Sequence, residues 1–399
     1  MVGHRSKKKW HARSSDGLAV ECNAEIRQCP RTKDGEPHVY ADTPQEAQQK
    51  IDIIKAEYMG KDLFASVSSK RKKVARQPVE TKGNSPEQGK HWESMSLVEQ
   101  GRECERVLQE ACNNHQAISG IDMSLRQQYA ERALSQAIRD GLKTSDTYST
   151  KTAAGPVYTP ERRKLQQQII DDVFKQHADT PREGKAIISG GMGGAGKTTV
   201  LTRYLNIDTR KYITVNPDDI KEIMAERGMI PTVRGLTPME CSTLAHEEAS
   251  HISSIIMDRA IREKKNIILD GTMSKRSSMD SRVGRLKKGD YTLRAVFVDI
   301  TPETSTERAT SRYRRGMDKY TISGEGNGGR ILPASVNNNK PSDPSRFQSR
   351  SAENLAGMHA DGTIEAEPVV FNNDGDAPRP VPYSDFIGRL EVSDQYHRQ

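Results

Sequence analysis

Residues 191–198 carry the pattern with the clearest chemistry in this chain: a glycine, four variable positions, then Gly-Lys-Thr. This is the pattern of a phosphate-binding loop. Glycines let the backbone fold tightly around a polyphosphate, and N–H groups at a helix N-terminus point at the anion. We predict a site for ATP or GTP with Mg²⁺, formed by Gly191, Met192, Gly193, Gly194, Ala195, Gly196, Lys197, Thr198 and Thr199.

Two residues of this loop have predicted roles of their own. Lys197 supplies a positive charge for the β- and γ-phosphates, and Thr198 supplies a hydroxyl ligand for Mg²⁺. A simple glycine-rich turn is the alternative. The flanking sequence favours the phosphate loop, because the apolar run 186–189 predicts a strand before it and residues 199–205 predict a helix after it.

The elements that must position this loop follow an alternating pattern from about residue 160 onward. A helix is predicted at 161–176 and another at 246–263, and four further apolar runs predict strands at 212–215, 266–269, 292–298 and 368–371. Alternating strands and helices favour a parallel sheet. We therefore predict an α/β fold like that of phosphate-loop kinases, a parallel sheet flanked by helices, after a mostly helical and polar N-terminal region.

Acidic residues follow two of the predicted strands. In open parallel sheets, ligands bind beyond the carboxyl ends of the strands. Asp218 is predicted to accept the proton of a substrate hydroxyl, and Asp219 is predicted to share that duty or to contact substrate. The alternative for Asp218 is to cap a helix over 220–227.

Asp270 directly follows four apolar residues, as a carboxylate that holds Mg²⁺ through water would. A plain Asp-Gly turn is the alternative. Thr272 and Lys275 lie close behind and are predicted to contact substrate or phosphate. His246, Glu247 and Glu248 lie on a predicted helix, where a surface role is at least as good an interpretation as substrate contact.

Arginines are dense after the 292–298 strand. The planar guanidinium suits bidentate phosphate contacts, so the group predicts a lid that closes over the nucleotide. A solvated basic helix face is the alternative for any one of them. The group comprises Arg308, Arg312, Arg314 and Arg315, with Arg330 after the glycine-rich stretch 324–329.

Before residue 160 the chain has a different character. We predict a small helical bundle or partner-binding element where apolar residues recur at three- and four-residue steps, and a separate helix over 43–59. The predicted segments are a small polar region at 1–65, a basic linker at 66–92, a helical region at 93–145, a connector at 146–160 and the phosphate-loop domain at 161–399.

Composition limits the class of protein. No apolar stretch approaches the roughly 18 residues of a membrane span, and the N-terminus lacks the apolar core of a secretory signal. Five cysteines are few, which suits a reducing cytoplasm.

Residues 1–92 carry 18 Lys/Arg against 12 Asp/Glu and hold nearly all of the net charge of +7. The basic cluster 70–73 suits a solvated linker better than nucleic acid, so we predict a cytoplasmic protein with no membrane contact and only weak support for a nucleic-acid partner.

These pieces in their order resemble the zeta toxin family of phosphate-loop kinases over roughly residues 160–385. The matching pieces are the phosphate loop and the segments 215–221, 246–250, 266–273, 312–316, 328–333 and 371–375. Zeta toxins are kinases that use ATP or GTP to phosphorylate UDP-N-acetylglucosamine, and an antitoxin neutralises them. The resemblance therefore implies a transferase with an antitoxin-like protein partner, although the first 150 residues are foreign to the minimal toxin.

The resemblance also implies residue roles. It implies that Lys197 contacts the phosphates, that Thr198 coordinates Mg²⁺ and that Asp218 acts as the base. Arg315 or Arg314, together with Arg330, would stabilise the transferred phosphoryl group, and Asn373 would lie near the adenine. The sequence departs from the family pattern in two places. The acidic residue before Gly-Thr is Asp270, which has a shorter side chain than the acidic residue of the toxins, and the lid carries extra glycines.

A small-molecule kinase is thus the leading hypothesis, with a nucleotide sugar as candidate acceptor. A kinase that acts on nucleic-acid ends or on an antibiotic would share the same transfer machinery. A nucleotide-gated binding or assembly protein is the alternative from another class, in which the N-terminal region recruits a partner.

Overall fold

The computed structural model describes residues 8–12, 19–21, 39–41, 43, 45, 92–153, 155–331 and 339–388. They form two compact units. One contains the described residues up to Ala133 together with Arg234–Thr237 and Arg314–Gly329, and the other contains Leu134–Val233, Pro238–Tyr313 and the described residues from Arg330 onward. Apart from residues 43 and 45, the helix predicted over 43–59 lies outside the described residues. In the described part, no helix is long and apolar enough to cross a membrane.

The strands are named in chain order. They are β1 (Lys8–Ala12), β2 (Ala19–Glu21), β3 (Val39–Ala41), β4 (Ser149–Thr152), β5 (Gly155–Tyr158), β6 (Lys185–Gly190), β7 (Ile213–Val215), β8 (Ile267–Asp270), β9 (Thr292–Asp299), β10 (Val369–Asn372) and β11 (Arg379–Val381).

The α-helices are named in the same way. They are α1 (Leu97–Asn114), α2 (Met123–Arg139), α3 (Thr144–Tyr148), α4 (Pro160–Gln176), α5 (Lys197–Thr199), α6 (Pro217–Glu226), α7 (His246–Arg262), α8 (Arg276–Lys288), α9 (Pro302–Ser323), α10 (Arg350–Ala360) and α11 (Tyr383–Ile387).

The larger unit is built on a six-stranded sheet with the order β11-β10-β9-β6-β8-β7. Every neighbouring pair is parallel except β10 and β11, which are antiparallel. The inner strands are buried on both faces, so they read as continuous apolar runs rather than alternating ones. The predicted parallel sheet flanked by helices is confirmed, and β6, which leads into the phosphate loop, lies between β8 and β9.

The start of α6 differs from the prediction. The helix begins at Pro217, and Asn216 caps it by accepting a hydrogen bond of 2.9 Å from the backbone N–H of Asp218. Proline suits the first helical position because its missing N–H would be unpaired there in any case. The N-cap role considered for Asp218 is therefore wrong: Asp218 lies in the first turn, which leaves its carboxylate available to other groups.

The smaller unit contains a three-stranded antiparallel sheet with the order β2-β1-β3 and most of the helix pair α1 and α2. The helices α1 and α2 lie within the predicted helical region 93–145. Ser96 caps α1 in a reciprocal capping box, since its hydroxyl accepts from the N–H of Glu99 while the Glu99 carboxylate accepts from the N–H of Ser96.

A buried ion pair joins α4 to α7 inside the larger unit. The guanidinium of Arg162 donates two hydrogen bonds of 2.8 Å to the carboxylate of Glu248, whose side chain is fully buried. Gln166 donates to the same carboxylate at 2.7 Å, and Arg162 also donates to the carbonyl of Met229. The surface role considered for Glu248 is therefore wrong, because this residue is a structural partner in the core.

Replacing Glu248 with Gln is expected to reduce the free energy of unfolding by about 3–5 kcal/mol, because the buried guanidinium of Arg162 loses its counter-charge. Urea unfolding measures this loss. Glu247→Gln is the matched control: its exposed pair with Lys143, at 2.7 Å, should contribute at most ~1 kcal/mol. Equal losses in the two variants would contradict this assignment.

Candidate active site

The phosphate loop follows β6 directly, and two of its glycines are required by their surroundings. Gly191 has a φ of 133°, and a Cβ there would lie 2.3 Å from the carbonyl oxygen of Val298 on the adjacent strand β9. Gly196 has a φ of 83°, and a Cβ there would lie 2.7 Å from the side-chain nitrogen of Asn373. Side chains are therefore excluded where the loop passes close to its neighbours.

Three side chains hold the loop from outside. Ser305 donates to the carbonyl of Gly193 at 2.7 Å, Arg308 to that of Gly194 at 3.3 Å, and Asn373 to that of Ala195 at 2.8 Å. In a trans peptide the N–H lies opposite the carbonyl, so holding these oxygens directs the following N–H groups away from the supports. Asn373, predicted near the adenine, is thus found bracing the loop itself.

Lys197 links the loop to the end of the neighbouring strand. Its Nζ lies 3.2 Å from the carbonyl oxygen of Gly191 and 3.6 Å from Oδ1 of Asp270. Oδ2 of Asp270 accepts a hydrogen bond of 3.1 Å from the amide of Asn216, which also donates to Asp219 at 3.3 Å. Asn216 therefore joins the ends of β7 and β8 into one polar cluster.

The donor set around Asp270 fits a magnesium ion held chiefly through water. Oδ1 of Asp270 is buried and makes no hydrogen bond, so it has an acceptor lone pair to offer. Burial raises the pKa of this carboxyl even though Lys197 opposes the shift. No group of three His, Cys, Asp or Glu side chains suited to a metal occurs in the described residues. A Mg²⁺ ion typically takes one or two carboxylates and completes its shell with water and substrate phosphates.

Asp218 lies between two cations. Its Oδ2 is 2.7 Å from a guanidinium nitrogen of Arg330, and its Oδ1 is 3.1 Å from Nζ of Lys221. Burial by itself would raise the pKa of Asp218, but Arg330 and then Lys221 outweigh it and hold that pKa below its usual value. Asp218 is thus ionised at neutral pH and able to accept a proton.

The pKa of Asp219 is shifted in the opposite direction. Part of Asp219 is exposed to solvent. Burial of the rest, followed by repulsion from Asp270 and Asp218, raises its pKa to about 6. Neighbouring carboxylates on one turn therefore have pKa values shifted in opposite directions. Such a separation is common where one carboxylate must be ionised beside others.

Replacing Asp219 with Asn is expected to stabilise the protein at pH 7, with the gain shrinking as the pH is lowered toward 4. Between its ordinary pKa of 3.8 and about 6, Asp219 keeps a proton in the folded state that the unfolded chain has lost. Its contribution to stability therefore falls as the pH rises through this window. Because Asp219 is partly exposed, we expect a gain below ~1 kcal/mol. Urea unfolding without Mg²⁺ at both pH values measures it, and a gain independent of pH would contradict the argument.

Several residues predicted for the site lie outside this cluster of contacts. The side chain of Thr198 is exposed on the loop, where its role as a Mg²⁺ ligand stays a prediction. The hydroxyl of Thr272 contacts that of Ser274 at 2.8 Å, and Lys275 is exposed immediately before α8. Arg315 lies on the part of α9 that belongs to the smaller unit, so its role also stays a prediction.

Sequence reasoning assigned no role to two residues of the cluster, Asn216 and Lys221. Both carry a recognisable signal. An Asn before Pro at a helix start is typical of an N-cap, and a Lys three residues after Asp218 lies on the same helix face. Neither signal reveals the contact with Asp270, because that contact depends on how β7 and β8 pair.

A parallel sheet, a braced phosphate loop and a cluster of carboxylates and cations at the carboxyl edge together define a phosphate-loop protein with a kinase-like fold. The model of the zeta toxin family matches residues 154–356, just over half of the chain. The chain belongs to the zeta toxin family. The match begins near the predicted boundary but ends before segment 371–375, which contains Asn373.

Solved structures with a similar fold are distant. The complex AvrRxo1-ORF1:-ORF2 with ATP is 17% identical over 63% of this chain and 80% of that chain, with a TM-score of 0.45. The PezAT chromosomal toxin-antitoxin system of Streptococcus pneumoniae is 14% identical over 59% of this chain and 88% of that chain, with a TM-score of 0.41. No curated protein sequence matches. Because both TM-scores are below 0.5, the family assignment rests on the family model.

Proposed function

We propose that this protein is an ATP-dependent phosphotransferase that moves the γ-phosphoryl group of ATP to a hydroxyl group of a small molecule. The supporting observation is the chain of contacts from Lys197 through Asp270 and Asn216 to the first turn of α6, where Asp218 pairs with Arg330. A phosphate-loop lysine and a candidate base thus belong to one site.

In the proposed reaction, the acceptor oxygen attacks the γ-phosphorus and the bond from that phosphorus to the β–γ bridging oxygen breaks. The acceptor proton passes to a carboxylate oxygen of Asp218, and ADP leaves. Lys197 and Arg330 stabilise the negative charge on the phosphoryl oxygens. A Mg²⁺ ion held near Asp270 and Thr198 would neutralise further phosphate charge.

Arg330 has two candidate partners in this scheme. In the structure it pairs with Asp218 at 2.7 Å. A triphosphate offers the guanidinium more negative charge, and a shift of Arg330 onto it would free an oxygen of Asp218 for the acceptor hydroxyl. Burial would raise the pKa of Asp218, but its pairing with Arg330 helps to hold that pKa below its usual value, so the carboxylate is ionised and can accept a proton.

Family membership suggests UDP-N-acetylglucosamine as the acceptor and an antitoxin-like protein as a partner. Incubation with ATP labelled at the γ-phosphate, Mg²⁺ and a panel of nucleotide sugars tests the acceptor. We expect one product heavier by a phosphoryl group. Hydrolysis of ATP without any phosphorylated product across sugars, antibiotics and oligonucleotides would overturn the proposal and favour the nucleotide-gated alternative.

A further inference from the structure

Segment Arg234–Thr237 is held by the helix pair α1 and α2 of the smaller unit. The side chain of Arg126 on α2 is fully buried and donates to the carbonyl of Gly235 at 2.7 Å. The hydroxyl of Tyr129, one turn further along, donates to the carbonyl of Arg234 at 2.6 Å. A buried guanidinium is costly unless it is hydrogen-bonded, so Arg126 strongly favours the position in which it bonds to the carbonyl of Gly235.

The backbone of this segment lies directly against α1. Gly235 has a φ of 70°, and a Cβ at this position would lie 2.6 Å from the carbonyl oxygen of Gly101 and 2.8 Å from the Cβ of Cys104. Arg126 also reaches the carbonyl of Cys104, at 3.5 Å. The segment is thus fixed by α1 on one side and by two side chains of α2.

The other end of the same segment touches the glycine-rich loop after α9. A Cβ at Gly328 would lie 2.1 Å from the hydroxyl of Thr237, so no side chain fits between them. A Cβ at Gly316 would lie 2.8 Å from the Cα of Gly329, and the N–H of Gly329 lies 3.2 Å from the sulfur of Met317. The loop is therefore packed against both Thr237 and its own helix.

The helix pair also touches α9 itself. The imidazole Nδ1 of His115, which follows α1, lies 3.3 Å from the carbonyl oxygen of Ile322. Hydrogen bonds, above all from the Ser124 hydroxyl, hold the pKa of Asp122, just before α2, below its usual value, and the charge of Arg314 on α9 adds a smaller effect. The helix pair thus interacts both with α9, which precedes the glycine-rich loop, and with segment Arg234–Thr237, which touches that loop.

The residue that follows this loop is Arg330, the partner of Asp218. We propose that Arg126 and Tyr129 are positioning residues for phosphoryl transfer: through segment Arg234–Thr237 they fix the loop that delivers Arg330 to Asp218. This inference rests on the proposed function. It gives the helix pair an internal role that the sequence did not suggest, and it makes Arg126 and Tyr129 determinants of kcat.

Two variants of the full chain test the proposal: Arg126→Met, which removes the guanidinium, and Tyr129→Phe, which removes one hydroxyl and keeps the ring. Arg139→Lys, at an exposed position of the same helix, is the matched control. For both test variants we expect kcat to fall, by about tenfold for Arg126→Met, because small displacements of a catalytic group are costly. The KM for ATP should stay within about twofold, since the phosphate loop is untouched.

Amide hydrogen exchange supplies a readout that does not require activity. Exchange should become faster in peptides that cover 234–237 and 324–331, with no change at 191–198 or in the Arg139→Lys control. Unchanged exchange at 324–331 in Tyr129→Phe would overturn the proposal, as would loss of ATP binding and thermal stability in parallel with kcat. If the wild-type protein transfers no phosphoryl group, the proposed function fails, and so does the role of Arg126 and Tyr129 in transfer. Amide hydrogen exchange still decides whether the helix pair orders the glycine-rich loop.

Discussion

Replacing Asp218 with Asn is expected to reduce kcat for phosphoryl transfer by about 10²–10⁴-fold, the usual contribution of a positioned general base. The amide has nearly the same shape but accepts a proton far less readily. The affinity for ATP should change little, because the phosphate loop and Lys197 do not depend on this carboxylate. Steady-state kinetics and equilibrium binding of ATP measure the two effects separately.

Asp219→Asn is the matched control for this variant, since it makes the same chemical change one residue further along α6. Asp219 is expected to be partly protonated near pH 6, whereas Asp218 is held ionised by Arg330 and Lys221. We therefore expect Asp219→Asn to retain most of the activity. A larger loss in Asp219→Asn than in Asp218→Asn would transfer the role of base to Asp219.

The parts of the site that could be predicted from the sequence are those set by local pattern. The phosphate loop needs a strand, tight glycine turns and a helix start, and all three are visible in consecutive residues. Asp270 could be predicted at the edge of the sheet because parallel strands bring their carboxyl ends together. Its register, opposite Ser189 at the end of β6, brings it within 3.6 Å of Lys197.

The parts that could not be predicted depend on contacts between distant segments. Asn216 and Asp270 are 54 residues apart, and their hydrogen bond exists only because β7 pairs with β8. Glu248 looked like a surface residue because its neighbours in the chain are polar. It is buried because α7 turns this face toward Arg162 on α4, 86 residues away. A helical pattern gives the faces of a helix but not the element that each face meets.

Asp218 and Asp270 differ in the charged groups that surround them. Asp218 is held ionised by two cations within 3.1 Å, so its proposed role as the base depends on the position of Arg330. Asp270 has one cation at 3.6 Å and a buried oxygen without a hydrogen bond. Burial raises the pKa of Asp270 although Lys197 opposes the shift, whereas Arg330 and Lys221 outweigh burial at Asp218 and hold its pKa low.

Replacing Lys197 with Ala is expected to weaken ATP binding by about tenfold and to reduce phosphoryl transfer by about 10²-fold. In the proposed reaction, the ammonium group is the cation that the phosphate loop supplies to the β- and γ-phosphates, in the ground state and as charge moves during transfer. Its removal also leaves the half-buried carboxylate of Asp270 without its nearest cation. Equilibrium binding of ATP and single-turnover transfer, each measured with Mg²⁺, report the two losses.

Lys185→Ala is the matched control, because Lys185 lies at the opposite end of the same strand β6 and pairs with the exposed Glu183 at 3.1 Å. It should leave ATP binding and transfer within about twofold of wild type, as a surface pair contributes little. The pattern across variants is the sharper test: Lys197→Ala should lose binding and transfer together, whereas Asp218→Asn should lose transfer alone. Unchanged ATP affinity in Lys197→Ala would mean that nucleotide binds away from this loop, and the proposed reaction would then lose its donor site.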